Sequence, residues 1–244
     1  MMKNKRKFGL IGYPLKHSFS PGYFAEKFNK EEIEDAVYDL YELERIDQFE
    51  NLKRSEIAGL NVTIPYKEAV MPYLDMLSPE AVSIGAVNTI KFTDQGLMGY
   101  NTDCYGFKNS LTSFYGNRKP TRALVLGTGG ASKAVRYVLS NLNIPFTIVS
   151  RQPSLLNYDE LSAEHFDGEV LVVNTTPLGT WPDIDKAPNI PYQFLTSKHF
   201  LYDLVYNPEK TLFLKLGADQ GAAIKNGYDM LKLQAEKSWE IWNG

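Results

Sequence analysis

The sequence predicts an α/β protein in two lobes. Three observations carry this. Short apolar runs ending in glycine or proline alternate with helix-like segments along the whole chain. The alternation restarts near residue 104, after about a hundred residues. A glycine-led turn joins strand to helix in the second series. With 244 residues the chain can form two modest domains. The expected division is 1–103 with the terminal helix 228–244 for one domain and 104–227 for the other, with a ligand cleft between them.

In the first series, "KFGLIG" (7–12) is a strand. "SPGYFAEKFNK" (20–30) opens with Ser20 as a cap and proline at the first helical position, so it is a helix. "AVYDLYEL" (36–43) is a strand and "IDQFENLKR" (46–54) a helix by its spacing. "GLNVTIPYK" (59–67) alternates, with Leu60, Val62 and Ile64 on one face and Asn61 and Thr63 on the other. Pro65 lacks an N–H and stops the ladder. "YKEAVMPYL" (66–74) is predicted helical, with Pro72 near its end. "AVNTIKFTDQGLMGYN" (86–101) reads as two strands around an Asp-Gln-Gly turn.

The second series has strands in "RALVLG" (122–127), "FTIVSR" (146–151), "EVLVVNTT" (169–176), "FLYDLVY" (200–206) and "AAIKNG" (222–227). The first feeds "TGGASKAVRYVLSNL" (128–142), a glycine-led helix, and an amphipathic helix runs from Tyr228 to the end of the sequence. The alternation predicts mostly parallel sheets.

Bulk properties exclude several classes. Hydrophobic residues make up 43% and charged residues 23%, as in ordinary globular proteins. A net charge of −3, from 26 basic and 29 acidic side chains, gives no electrostatic reason to expect nucleic acid or an anionic membrane. The basic "KNKRK" (3–7) is read as solvated. Cys104 is the one cysteine, and His17, His165 and His199 lack ligand spacing, so neither an internal disulfide nor a metal site is expected. No apolar run is long enough for a membrane span, and no signal-peptide core is evident. A cytoplasmic setting fits.

The chemistry concentrates in two sets of residues. "VLGTGGASKA" (125–134) follows a strand and opens a helix. Gly127, Gly129 and Gly130 permit a tight turn against a pyrophosphate, which the helix N-terminus would receive. The next strand ends in "VSRQPS" (149–154), without the acid that an NAD ribose would use. Arg151 stands where a 2′-phosphate needs a cation. The second set consists of small polar residues at element ends in the first lobe. These are Ser18 and Ser20, Asn61 and Thr63 with Lys67, Asn88 and Thr89, and Asn101, Thr102 and Asp103. Singly, each reads better as a cap, a solvated side chain or a satisfied sheet residue. Together they suit a polyhydroxylated ligand, because hydroxyls and amides both donate and accept. Lys67 and Asp103 are the members able to exchange a proton with a ketone or alcohol, or else they form a simple ion pair.

These residues carry a family resemblance. "HSFSP" (17–21), "NVTIPYK" (61–67), "GAVNT" (85–89), "NTD" (101–103), "GTGGA" (127–131), "NTTPLG" (174–179), "DLVYNPEKT" (203–211) and "NGYDMLKLQA" (226–235) occur in the order found in shikimate dehydrogenases. From about residue 8 onward the chain resembles that family. The resemblance implies a substrate lobe, then a Rossmann-like NADP lobe, with the last helix returning to the first lobe. It implies reversible reduction of 3-dehydroshikimate to shikimate with NADPH, in a monomer or homodimer. Lys67 and Asp103 would be catalytic. Ser18 and Ser20 would hold the substrate carboxylate, while Thr63, Asn88, Asp103, Tyr206 and Gln234 would hold its hydroxyls. Gly127, Gly129, Gly130, Ala131, Ser150, Arg151, Thr175 and Gly227 would hold the cofactor. The Asn61 and Thr63 side of its strand would border the substrate cleft.

Gln234 shares a helix face with Met230, Leu231 and Ile241, a polar amide in an apolar stripe that calls for partners or a rim position. The chain departs from the family in two places. Gln152 replaces a hydroxyl residue after Arg151, and Thr180 replaces a methionine after "NTTPLG". The chain is also short for the family, which points to shorter loops in the nucleotide lobe. A quinate/shikimate dehydrogenase that also uses NAD, and a non-catalytic nucleotide-binding relative, are the alternatives.

Overall fold

A computed structural model describes residues 5–16, 18–53 and 56–244. His17, the first four residues and Arg54, which closes the predicted helix 46–54, lie outside the described residues. The chain divides into two compact units: 1–102 with 234–244, and 103–233.

The first unit is built on a six-stranded sheet. Its strands are β1 (Arg6–Gly12), β2 (Ala36–Glu42), β3 (Ile57–Val62), β4 (Met76–Leu77), β5 (Thr89–Thr93) and β6 (Gly96–Tyr100), in the order β2-β1-β3-β5-β6-β4. β1 pairs in parallel with β2 and β3, whereas β5 is antiparallel to both β3 and β6. The sheet is therefore mixed rather than mostly parallel. The hairpin is the cause: β5 and β6 join through Asp94 and Gln95, too short a link for a parallel crossover.

Helix α1 (Ser20–Lys30) connects β1 to β2, and a 3₁₀ turn with α2 (Phe49–Leu52) precedes β3. Ser20 is not the cap of α1 but its first helical residue. The cap position is Phe19, and Pro21 sits within the first turn, where its missing N–H costs nothing. Helix α3 (Pro79–Ile84) is capped by Ser78, whose side chain accepts from the Ala81 N–H.

Segment 66–74 is not an α-helix. One α-type bond forms, from Val70 N–H to the Tyr66 carbonyl, and the chain then tightens into a 3₁₀ turn at Met71–Tyr73. Pro72 cannot donate within that turn. The strand before it also ends sooner than its alternation suggests. β3 stops at Val62, and Ile64 is 73% exposed while Leu60 and Val62 are buried.

The core on one side of this sheet gathers Ile11, Phe49, Leu60, Val70 and Ile90. On the other side Phe8 and Phe24 pack with Ala235 and Trp242 of α7 (Tyr228–Asn243). Gly59 makes room for this: a Cβ there would lie 2.3 Å from the Trp242 ring. The Trp242 indole donates to the Ile90 carbonyl at 2.9 Å. Arg6, read as solvated, pairs with Asp35 at 3.1 Å.

The second unit has five parallel strands. These are β7 (Arg122–Leu126), β8 (Phe146–Val149), β9 (Val170–Asn174), β10 (Phe200–Asp203) and β11 (Ala223–Lys225), in the order β11-β10-β9-β7-β8. β9 is buried throughout, as a central parallel strand covered on both faces must be. Helix α4 (Asp103–Tyr115) precedes β7, α5 (Gly130–Asn141) links β7 to β8, and α6 (Leu212–Asp219) links β10 to β11. The crossovers from β8 to β9 and from β9 to β10 contain 3₁₀ turns and no α-helix. No helix among the described residues is long and apolar enough to cross a membrane.

Candidate active site

In the first unit the polar residues converge on one buried cluster. Asn61 leaves β3 toward the sheet face covered by α7. Its Nδ2 donates to Ser238 Oγ at 2.9 Å, to Thr89 Oγ1 at 3.2 Å and to the Asn88 carbonyl at 3.3 Å. The Tyr38 hydroxyl donates to Asn61 Oδ1 at 2.8 Å. Asn88 precedes β5 and reaches Thr102 and Gln234. Thr89, Thr102 and Ser238 share hydroxyl contacts between 2.8 and 3.2 Å. Asn61, Asn88, Thr89, Thr102, Gln234 and Ser238 are all buried. A polar group this deep is tolerated only when paired, and these are.

This corrects one reading. Asn61 does not border open space: it is 4% exposed, and both ends of its amide are bonded inside the unit. Gln234 is 7% exposed and its Oε1 is bonded inside the unit, accepting from Asn88 Nδ2. Thr63 and Lys67 are half-buried. The Lys67 backbone is anchored, its carbonyl accepting from the Val87 N–H at 2.7 Å. The Tyr66 hydroxyl beside it donates to the Leu43 carbonyl at 2.6 Å. Ser18 Oγ donates to the Leu15 carbonyl at 2.9 Å. Ser20 bonds Tyr38, whose phenol is raised above its usual range mainly by burial, with the serine contact acting the other way. Glu236 of α7 holds Lys27 at 2.8 Å and Tyr23, tying that helix to α1.

In the second unit, Asp103 opens α4 and is buried. β7 lies between β8 and β9, so the strand order reverses at β7, and the carboxyl ends of β7 and β9 are where an open α/β sheet takes its ligand. Gly127 leaves β7 with φ 103°, a conformation glycine adopts without strain. A Cβ on Gly127 would stand 3.0 Å from Thr175 Oγ1, and one on Gly129 would meet nothing within 4 Å. The first turn of α5 starts after Gly129 with no side-chain cap, which leaves its N–H groups available to an anion. Ser132 Oγ braces the turn by donating to the Gly127 carbonyl at 2.9 Å. Thr175, after β9, donates through Oγ1 to the Leu126 carbonyl at 2.6 Å. These features fit a pyrophosphate between Gly127–Ala131 and Thr175.

After β8, Ser150 is buried and Arg151 exposed. Gln152 Nε2 reaches across to Thr128 Oγ1 at 3.3 Å, joining this loop to the glycine turn. Gly227 has a structural reason to be glycine, since a Cβ there would fall 2.2 Å from the Leu204 carbonyl. Tyr206 is half-buried, and burial raises its phenol.

Sequence reasoning missed a second cluster. Asp203, at the end of β10, is fully buried and accepts from Asn174 Nδ2 at 2.9 Å, from Thr211 Oγ1 and from the Val205 N–H at 3.0 Å. Asn174 Oδ1 in turn accepts from the N–H and hydroxyl of Thr176. Burial lifts the Asp203 carboxyl to about 6 against the pull of these three donors. The available signal was a polar residue closing each of two apolar strands, "VLVVN" and "FLYD".

A family model described as the shikimate dehydrogenase substrate binding domain matches residues 10–90. A shikimate dehydrogenase (NADP(+)) from Clostridium beijerinckii is 41% identical to this chain, over 96% of this chain and 91% of its own length. The chain belongs to the shikimate dehydrogenase family. Among solved structures of the family, a shikimate dehydrogenase from Aquifex aeolicus matches with a TM-score of 0.88 and 34% identity, covering 98% of this chain and 93% of that one. A shikimate 5-dehydrogenase from Thermus thermophilus, in complex with NADP(H) and shikimate, matches with a TM-score of 0.85 and 31% identity, covering 98% and 94%.

Proposed function

We propose that the protein is an NADP-dependent shikimate dehydrogenase. It reversibly reduces 3-dehydroshikimate to shikimate in the pathway to aromatic amino acids. The observation that carries this reading is the neutrality of the first unit's cluster. Amides and hydroxyls alone suit the hydroxyl-bearing part of a ligand better than a charged or apolar group. The glycine turn at the point where the second sheet's order reverses supplies the nucleotide half.

When bound, NADPH supplies the hydride. The chain's residues handle the rest. In reduction, Lys67 gives a proton to the carbonyl oxygen of the substrate as the carbon is reduced, with Asp103 as its partner, and the reverse direction returns that proton to the pair. Ser18 and Ser20 hold the carboxylate, and Thr63, Asn88, Asp103, Tyr206 and Gln234 hold the ring hydroxyls. Gly127, Gly129, Gly130, Ala131, Ser150, Arg151, Thr175 and Gly227 hold the cofactor, with Arg151 on the 2′-phosphate. The enzyme acts in the cytoplasm as a monomer or homodimer, without nucleic-acid or membrane partners.

One experiment tests the reading. Reduced-cofactor absorbance is followed with shikimate or quinate, each with NADP or NAD. Turnover of shikimate with NADP is expected. Preference for quinate with NAD, or no turnover at all, would overturn it.

A further inference from the structure

The first unit's cluster has a fixed direction. A peptide N–H can only donate, and that of Thr102 donates to Asn88 Oδ1 at 2.6 Å. This pins the Asn88 amide. Its Nδ2 faces the other way and donates to Thr102 Oγ1 at 3.0 Å and to Gln234 Oε1 at 3.2 Å. Thr102 Oγ1 is a further neighbour of Gln234 Oε1, at 3.4 Å. The Gln234 oxygen is therefore an acceptor held inward, and its NH₂ group is turned away from Asn88. Among the described residues, Gln234 Nε2 donates to no group. It is not sealed either, since no side-chain nitrogen or oxygen among them is both buried and unpartnered.

The other half of the cluster is pinned in the same way. A carbonyl can only accept, and that of Asn88 receives Asn61 Nδ2. Asn61 Nδ2 also donates to Ser238 Oγ, which donates one turn back to the Gln234 carbonyl at 2.9 Å. Thr89 Oγ1 closes the arrangement 2.8 Å from Ser238.

We propose that this cluster is a positioning device that leaves Gln234 able only to donate, with Thr89 and Ser238 as positioning residues. The ligand atom that Gln234 meets is then an oxygen accepting a hydrogen bond. The inference rests on shikimate as the ligand, so wild-type turnover is measured first. Its absence refutes the proposed function, whereas the results below refute the donor assignment alone.

The side-chain amide pair of Gln234 is identified in ¹H–¹⁵N spectra by its loss in Gln234→Met. In wild type it should shift as shikimate is added, and a pair that stays still at saturation overturns the inference. The KM for shikimate should rise about 3–10-fold in Gln234→Met, the worth of one neutral hydrogen bond. A Gln234→Met variant with an unchanged KM overturns the inference. Thr89→Val should move the Gln234 pair in the free protein and raise KM several-fold at unchanged kcat, and Thr89→Ser should restore both. A Thr89→Val protein that loses only thermal stability, with the pair and KM unmoved, removes Thr89 from the device.

Discussion

The two units hold polar groups at strand ends by opposite electrostatic means. The first uses neutral amides and hydroxyls, pinned by a peptide N–H at one end and a carbonyl at the other. The second uses a buried carboxylate, Asp203, which gathers the loops after β9 and β10 through Asn174, Val205 and Thr211. Charge makes the second set of bonds stronger, but it leaves a group that titrates. The neutral set holds its geometry at any pH near neutrality and fixes who donates and who accepts. A site that sorts neutral ring hydroxyls needs the second property. A loop that cradles a phosphate needs only to stay in place.

If this division is right, variants in one unit should move substrate parameters and variants in the other should move cofactor or stability parameters. The largest effect is expected from Lys67→Ala, which should lower kcat by on the order of 10²–10⁴-fold with little change in shikimate affinity. A near-normal kcat would leave Lys67 a structural cation.

Next comes the carboxylate. The Asp203 carboxyl lies at about 6 in the folded protein against an ordinary 3.8, so the fold binds its proton more tightly than the unfolded chain does. Its contribution to stability is thus absent above pH 6 and grows as pH falls toward 4. The urea-unfolding free energy of wild type minus that of Asp203→Asn should increase by about 2 kcal/mol between pH 7 and pH 4. A flat difference would show that the three donors balance burial, and a falling one that they outweigh it.

Arg151→Ala should erode a preference for NADP over NAD on the order of 10–100-fold, weakening NADP and sparing NAD. Gln152, bound to Thr128 rather than offering a hydroxyl beside Arg151, places the wild-type value toward the low end. Equal loss for both cofactors would remove Arg151 from the 2′-phosphate. The smallest effect belongs to Tyr38→Phe. It removes one donor from Asn61, which the Asn88 carbonyl still pins, and frees Ser20, so about 1 kcal/mol of stability should go, with a small rise in the KM for shikimate and an unchanged KM for NADP. A changed KM for NADP would blur the division.

Much of this was legible in the sequence. Apolar runs marked β1, β7 and β9, the glycines marked the turn into α5, and the period of 3.6 marked α7. What escaped depends on partners far along the chain. Alternation placed Asn61 opposite Leu60, yet only the arrival of α7 decides that the asparagine side is covered. Ser238 reads as an ordinary polar helix residue until Asn61 and Thr89 meet it. Segment 66–74 has helical spacing, but Pro72 lacks the N–H that an α-helix would need there, and the chain takes 3₁₀ turns instead. Ile64 fits the apolar period but lies past the last ladder pair of β3.

Trp242 seats on Gly59 and stacks on Phe8, with ring centroids 4.9 Å apart. The ribosome makes Phe8 and Gly59 early and Trp242 only after the whole second unit. The first unit emerges first but finishes second: until α7 is delivered, Phe8 lacks the rings of Trp239 and Trp242 that pack on it. The sheet of the first unit thus waits on the last helix for part of its aromatic cover, while the second unit can complete its sheet from one continuous stretch of chain.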